Sequence, residues 1–133
     1  MGEKREEQIA GPDKEYFFDT SAIIEIVGGN ERYRIYSTIK ASITLFNLAE
    51  IYWIVLNKIG EAEAEEAYNT YKELVIDSGE EIIKEAMKFR KTYKNKGFSY
   101  ADSIGYMCAK KNNMKFLTSD SQFKDLDNVE FVK

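Results

Sequence analysis

Three consecutive aromatic residues, Tyr16–Phe18, lead directly into Asp19, and an apolar helical segment follows from Ser21 to about Val27. Aromatic residues favour a strand and the Thr20–Ser21 hydroxyl pair favours a helix start, so Asp19 is predicted to lie where a strand becomes a helix. In open α/β sheets, ligands bind at the edge formed by the carboxyl ends of the strands, where such a junction lies. A second interpretation stays open, because aspartate is favoured at helix N-termini and could serve there only as a cap.

The alternation of strand and helix continues to the end of the chain. Strands are predicted over about 15–19, 42–44, 74–76, 115–118 and 129–132, and helices over about 21–27, 31–40, 46–56, 61–73, 78–96 and 100–111. Such a sequence is typical of parallel strands joined by right-handed helical crossovers. It predicts an α/β fold of three layers, with a parallel sheet of four or five strands and helices on both faces.

The segment 46–56 is apolar on nearly every side, which predicts a buried helix. Its aromatic residues Tyr52 and Trp53 could anchor a partner helix, but we expect them to belong to the core. Glu50 lies among these apolar residues. Burying a carboxylate without compensation costs several kcal/mol, so Glu50 is expected to meet a cation or a strong hydrogen-bonding partner.

Length and composition predict one domain of a soluble globular protein, with 133 residues of which 44% are hydrophobic. Residues 1–14 are polar and hold the single proline; we interpret them as a flexible N-terminal extension, native or artificial, and residues 15–133 as the domain. No apolar run approaches the roughly 18 residues of a membrane helix, and no secretory signal is evident. With its single Cys108, the chain is expected in the reducing cytoplasm.

Histidine is absent, which excludes a histidine general base, a Ser-His-Asp triad and a histidine-ligated zinc site. The net charge of −4 comes from 23 acidic and 19 basic residues. Residues 1–15 carry five of these acids and three of these bases, which leaves 18 acids and 16 bases. If a metal compensated four of the remaining acids, the domain would be slightly positive. Net charge therefore does not exclude a polyanionic substrate.

Four acids stand at comparable positions: Asp19 and Asp120 at the ends of predicted strands, Glu50 inside the apolar helix predicted over 46–56, and Asp102 at the start of the helix predicted over 100–111. Strand ends and helix starts share one edge of a parallel sheet, so the four carboxylates are expected to converge. Carboxylate oxygens are the ligands that hard divalent cations prefer.

Local capping is the alternative for two of these acids. Asn47–Glu50 and Ser99–Asp102 both have the spacing of a capping box, in which the acid bonds back to the start of its own helix. Ser78–Glu81 has the same spacing, and we assign no function to it. Spacing alone is therefore weak evidence, and the joint placement of four acids carries more weight.

Four short motifs in this order resemble the PIN-domain ribonucleases. They are Phe18–Ile24, Asn47–Ile51, Ser99–Ile104 and Leu117–Phe123, and the resemblance extends over about residues 16–133. It implies that Asp19, Glu50, Asp102 and Asp120 are catalytic residues that hold Mg²⁺ or Mn²⁺, and that the Thr118 hydroxyl supports the site. At Gln122 some relatives carry a further acid, which puts the binding of a second metal in doubt.

The resemblance also implies a function. It predicts a metal-dependent endoribonuclease that attacks RNA phosphodiesters with metal-activated water and leaves 5′-phosphates. The small single-domain layout looks most like the toxin of a VapBC-type toxin–antitoxin pair, which would be a homodimer inhibited by a small antitoxin that inserts an Arg or Lys. The alternatives are a housekeeping RNA-processing nuclease and a catalytically weak PIN scaffold that binds RNA or protein. An aspartyl-phosphate hydrolase is disfavoured, because Asp19–Ser21 lacks a second acid.

Substrate contacts are less constrained than the acids. Basic residues cluster late in the helix predicted over 78–96, and they could follow a phosphate backbone. A solvated helix end with favourable dipole compensation is at least as good an interpretation. The basic residues of this cluster are Lys84, Lys88, Arg90, Lys91, Lys94 and Lys96.

Overall fold

A parallel sheet of four strands forms the centre of the computed structural model, which describes residues 15–133. The strands are β1 (Tyr16–Phe18), β2 (Ala41–Ser42), β3 (Lys115–Thr118) and β4 (Val129–Phe131). Their order is β2-β1-β3-β4, and all three pairings are parallel. The predicted α/β fold is confirmed with four strands. The predicted extension over residues 1–14 lies outside the described residues.

Five α-helices connect and flank these strands. They are α1 (Thr20–Val27), α2 (Leu45–Lys58), α3 (Glu61–Tyr71), α4 (Gly79–Thr92) and α5 (Tyr100–Lys111), with short 3₁₀ turns at Glu31–Tyr36, Lys72–Leu74, Lys94–Lys96 and Ser121–Phe123. Two predictions need correction. The helix expected over 31–40 is only a 3₁₀ turn, and the strand expected over 74–76 is reduced to one parallel bridge between Ile43 and Val75.

Side chains of β1 alternate between two cores, as the two-residue period of a strand requires. Tyr16 and Phe18 pack on one face of the sheet with residues of α1, α2 and α3. Phe17 and its neighbour Phe116 stack on the opposite face, beside residues of α4 and α5. Helices therefore cover both faces of the sheet, which confirms the predicted three layers.

Helix α5 lies unusually close to the sheet at Gly105. A Cβ atom added to this glycine would stand 2.9 Å from Cε1 of the Phe17 ring, closer than real Cβ contacts allow. Glycine is therefore required here for packing. The close approach holds the N-terminal half of α5, which carries Asp102, against β1.

The prediction that α2 is buried on nearly every side is wrong. Only one face, with Asn47, Leu48, Ile51 and Val55, is buried. Trp53 is 65% exposed, so its expected place in the core is wrong as well. Apolar composition alone could not distinguish a helix with an uncovered apolar face from a core helix. None of the helices within residues 15–133 has both the length and the apolar character needed to cross a membrane.

Candidate active site

The four acids singled out from the sequence line one cleft at the carboxyl edge of the sheet. Asp19 follows β1, Asp120 lies just beyond β3, Glu50 comes from α2, and Asp102 lies in the first turn of α5. The cleft has a volume of about 380 Å³. The expectation that the four carboxylates converge is therefore confirmed; their catalytic role stays a prediction. The remaining lining residues are Thr20, Ser21, Ile24, Glu25, Trp53, Ile54, Lys58 and Ser119.

Asp19 stands at the N-cap position of α1, but its side chain does not cap the helix. Its carboxylate turns instead toward β3, where Thr118 Oγ1 donates a 2.7 Å hydrogen bond to Oδ2. Ser21 Oγ donates to the same oxygen at 2.9 Å. The other oxygen, Oδ1, is buried and has no hydrogen-bond partner among the described residues. The interpretation of Asp19 as a mere cap is therefore wrong.

Burial makes the ionised form of Asp19 costly. Its side chain is almost entirely inaccessible, and this desolvation, with the nearby negative charge of Asp102 as the next cause, raises the pKa of Asp19 from 3.8 to about 7. Glu50 adds a smaller effect of the same sign, whereas the hydrogen bonds from Thr118 and Ser21 lower the pKa. The raised pKa identifies an acid that lacks positive compensation.

Thr118, the last residue of β3, connects Asp19 to the loop that follows this strand. Besides donating to Asp19, its hydroxyl oxygen accepts a 3.0 Å hydrogen bond from the backbone N–H of Asp120. Ser21 is arranged similarly, because its hydroxyl oxygen accepts from the backbone N–H of Ser119 at 3.0 Å. Two buried or half-buried hydroxyls thus fix the carboxylate of Asp19 relative to the loop that carries Asp120.

Ser99 connects the other two acids. Its hydroxyl oxygen accepts from the backbone N–H of Asp102 at 3.0 Å, and Oδ2 of Asp102 accepts from the backbone N–H of Ser99 at 2.8 Å. The predicted capping box at Ser99–Asp102 is therefore confirmed. Ser99 Oγ also donates to Oε2 of Glu50 at 3.3 Å. Burial, the first cause, raises the pKa of Asp102, with the backbone N–H of Ser99 opposing it and Glu50 reinforcing it.

The capping box expected at Asn47–Glu50 does not form. Helix α2 begins one turn earlier than that spacing assumed, and the box joins Thr44 to Asn47. Asn47 is fully buried, and its Nδ2 donates to Thr20 Oγ1 at 3.0 Å, which ties α2 to α1. Glu50 is thereby released from a capping role. It is half-buried at the cleft. The Ser78–Glu81 box is also absent, since Ser78 makes no side-chain cap bond.

Asp120 caps the short turn that follows β3. Its Oδ1 accepts from the backbone N–H of Gln122 at 3.0 Å. The backbone carbonyl of Gln122 in turn accepts from Lys96 Nζ at 2.9 Å, so one member of the predicted basic cluster is held beside this loop. Arg90, another member, donates through Nε to the carbonyl of Phe98 and stacks over the ring of Tyr100. Neither of these residues lines the cleft.

The donor set fits a hydrated divalent cation. Hydrogen bonds from the protein reach Asp19 Oδ2, Glu50 Oε2, Asp102 Oδ2 and Asp120 Oδ1, which leaves the second oxygen of each carboxylate for a cation. Within residues 15–133, no three such side chains stand close enough together to enclose a metal directly. A cation held here would therefore keep several of its waters, as Mg²⁺ does when few carboxylates bind it.

Several residues of the cleft escaped the sequence analysis. Ser21 and Ser99 lie inside the quoted motifs but gave no signal of their hydrogen bonds to carboxylates. Asn47 could have been recognised as a polar residue on the buried side of α2, where an amide needs partners. Trp53 and Lys58 line the cleft only because α2 leaves one face uncovered. No local pattern could have revealed that.

Residues 16–129 match the family described as PIN domain. No curated protein sequence matches the chain. Three similar solved structures show the same fold at low sequence identity.

The first is a toxin–antitoxin complex from Klebsiella pneumoniae, with a TM-score of 0.68, 18% identity, and coverage of 86% of this chain and 95% of the other. The second is VapBC2 from Rickettsia felis bound to a DNA fragment from its promoter, with a TM-score of 0.67, 16% identity, and coverage of 90% and 99%. The third is VapC20 from Mycobacterium tuberculosis, a toxin that cleaves the sarcin–ricin loop, with a TM-score of 0.70, 16% identity, and coverage of 88% and 96%.

Proposed function

Since the chain belongs to the PIN domain family, we propose that it is a metal-dependent endoribonuclease that hydrolyses RNA phosphodiesters and acts as the toxin of a toxin–antitoxin pair. Asp19, Glu50, Asp102 and Asp120 are the proposed catalytic and metal-binding carboxylates, and Thr118 is the residue that supports Asp19. Mg²⁺ or Mn²⁺ is the proposed cofactor.

One observation carries this proposal. The cleft gathers four carboxylates, and one of them, Asp19, has its Oδ1 buried without a hydrogen-bond partner among residues 15–133. A buried carboxylate without compensation is costly, and a divalent cation at that oxygen would remove the cost. A purely structural cluster of acids would be expected to include basic partners, whereas Lys58 is the one base among the residues that line this cleft.

Each residue of the cleft has a separate role in the proposed reaction. A bound Mg²⁺ or Mn²⁺ would supply an activated water near neutral pH and would stabilise negative charge on the attacked phosphate. Thr118 and Ser21 fix Asp19 through Oδ2, and Oδ1 would be the oxygen that holds the cation. Ser99 holds Glu50 and Asp102 at a fixed separation, and Glu50 either joins the metal-binding set or orients the attacking water. The hydrolysis leaves a 5′-phosphate on the downstream RNA fragment.

The proposed partners are a small antitoxin and a second copy of the chain. Resemblance in fold to structures of toxin–antitoxin complexes supports the antitoxin, and the second copy is proposed from the family resemblance. The acidic cleft offers a further contact, since an arginine of a partner could bind two carboxylate oxygens at once. Such an arginine would take the place of the cation and silence the enzyme.

Induced expression followed by sequencing of RNA 5′ ends in total RNA tests the activity. We expect new 5′-phosphate ends with the wild-type chain and none with Asp102→Asn, and Mg²⁺-dependent cleavage by the purified protein that a chelator stops. Co-expression with the neighbouring small open reading frame should yield a co-purifying complex without nuclease activity. Cleavage with no such partner would favour a housekeeping nuclease. Absence of both cleavage and a thermal shift with Mn²⁺ would favour the scaffold.

A further inference from the structure

One wall of the acidic cleft carries side chains that the proposed hydrolysis does not use. Trp53 and Lys58, both on α2, line the cleft together with the four carboxylates. Trp53 follows Glu50 by three residues and therefore lies one helical turn along the same side of α2. It is 65% exposed, and it is the single tryptophan of the chain.

The charge of the cleft limits how RNA can bind there. Five acids (Asp19, Glu25, Glu50, Asp102 and Asp120) and one base line it. Phosphates of the substrate are therefore repelled wherever a cation does not compensate the acids. Binding energy close to the scissile phosphate must come from contacts without negative charge, and the cleft offers an exposed indole for a base and one ammonium group for a phosphate.

We propose, as an extension of the nuclease function above, that Trp53 and Lys58 bind an unpaired nucleotide next to the scissile phosphate. The base stacks on the exposed indole of Trp53, and the Lys58 ammonium group contacts a neighbouring phosphate. Base faces inside a continuous duplex are already stacked on one another, so this contact selects single-stranded segments, loops and bulges of RNA.

The ammonium group of Lys58 is available to bind a phosphate. Lys58 is exposed at the end of α2, and within residues 15–133 its side chain forms no ion pair. Other exposed apolar residues of the same helix, such as Leu45 and Leu56, do not line the cleft. Trp53 and Lys58 thus differ from the rest of the uncovered face by their position beside the acids.

Fluorescence of the single tryptophan provides a test that does not depend on catalysis. The full-length Asp102→Asn protein in Mg²⁺ is titrated with a twelve-nucleotide single-stranded RNA, and separately with the same strand annealed to its complement. We expect the single strand to quench the emission of Trp53 strongly, because stacking brings a base onto the indole, and the duplex to quench it much less.

Anisotropy of a labelled single strand then measures affinity in the same background. Trp53→Ala should weaken binding by about tenfold, and Trp53→Phe, which keeps a ring, should restore most of it. Leu45→Ala is the matched control, because it removes a 60% exposed apolar side chain of α2 outside the cleft. Lys58→Ala should reduce the salt dependence of binding by roughly the slope of one phosphate contact, and Lys40→Ala should leave it unchanged.

Three results would overturn the inference. The labelled strand could bind while the emission of Trp53 stays constant, or the duplex could quench as strongly as the single strand. Alternatively, emission could change with protein concentration alone and the assembly shrink in Trp53→Ala, which would assign this face to a second copy of the chain. If wild type cleaves RNA and any of these three results is found, the nucleotide site at Trp53 and Lys58 is wrong but the proposed nuclease function stands. If wild type neither cleaves nor binds RNA, the proposed function fails with it.

Discussion

Replacing Asp19 with asparagine should make the metal-free protein more stable at neutral and alkaline pH. The pKa of this carboxyl is raised from 3.8 to about 7 in the folded chain, so the folded state binds the proton more tightly than the unfolded state. Between these two values the unfolded chain has released the proton and the folded chain has not. The free energy of unfolding therefore falls as pH rises from about 4 to about 7, and then levels off.

The pKa shift of Asp19 determines the size of the stability change. One pKa unit corresponds to about 1.4 kcal/mol, so ionising Asp19 costs the folded state roughly 4 kcal/mol above its folded pKa, of which roughly 2–3 kcal/mol develops between pH 5 and pH 8. Asparagine removes this pH dependence. Its amide nitrogen would be a buried donor without an acceptor beside the unpartnered Oδ1 position, which costs about 1–3 kcal/mol at every pH. This constant cost cancels when the stability of Asp19→Asn relative to wild type at pH 5 is subtracted from the same quantity at pH 8.

Urea unfolding followed by circular dichroism at pH 5 and pH 8, with a chelator present, measures the effect. The stability of Asp19→Asn relative to wild type should increase by roughly 2–3 kcal/mol from pH 5 to pH 8. Asp125→Asn, which changes an exposed carboxylate outside the cleft, should follow wild type at both pH values. Saturating Mg²⁺ at pH 8 should stabilise wild type and have little effect on Asp19→Asn. Equal pH dependence of both proteins would refute the reasoning.

Three further substitutions test other parts of the site and fold. Asp102→Asn should lower RNA cleavage by at least about a hundredfold while the α5 cap persists, because the amide oxygen can still accept from Ser99; cleavage and thermal-unfolding assays check this. Thr118→Val removes a donor that lowers the pKa of Asp19, so carboxyl NMR titration should give a still higher pKa that Thr118→Ser restores. Gly105→Ala should cost about 1–3 kcal/mol of unfolding free energy, since the new Cβ meets the Phe17 ring; unchanged denaturant unfolding would contradict that packing.

Sequence reasoning located elements best where both ends carry local signals. The predicted limits of α5 and β3 agree with the structure because Ser99 starts the helix by a capping box and the Asn112–Asn113 turn, with a positive φ at Asn113, separates the two elements. The 3₁₀ turn Glu31–Tyr36 is shorter than the helix that the sequence predicts. Its length is decided by the packing of Tyr33 and Tyr36 in the core, which local propensity does not show.

The candidate site was predictable to the level of the acids and no further. Topology determines where strand ends lie, so the sequence alone predicts that the four carboxylates lie together at one edge of the sheet. Which carboxylate oxygens are occupied depends on tertiary hydrogen bonds, and the Thr118–Asp19 bond joins residues 99 positions apart. A capping pattern such as Asn47–Glu50 could not compete with the true cap at Thr44, because the end of β2 determines where α2 starts.

The exposed face of α2 concerns both the fold and the candidate site. A helix whose apolar residues extend around its surface is typical of a core, and burial of only one side leaves Trp53 in solvent at a hydrophobic cost. That cost is retained beside an acidic cleft, where an acid in the place of Trp53 would repel RNA and a base there, one turn from Glu50, would pair with the carboxylate and displace a cation. An uncharged aromatic ring does neither. The chemistry of the acids therefore favours an aromatic substrate contact on this wall, and that is the residue type that the structure presents there.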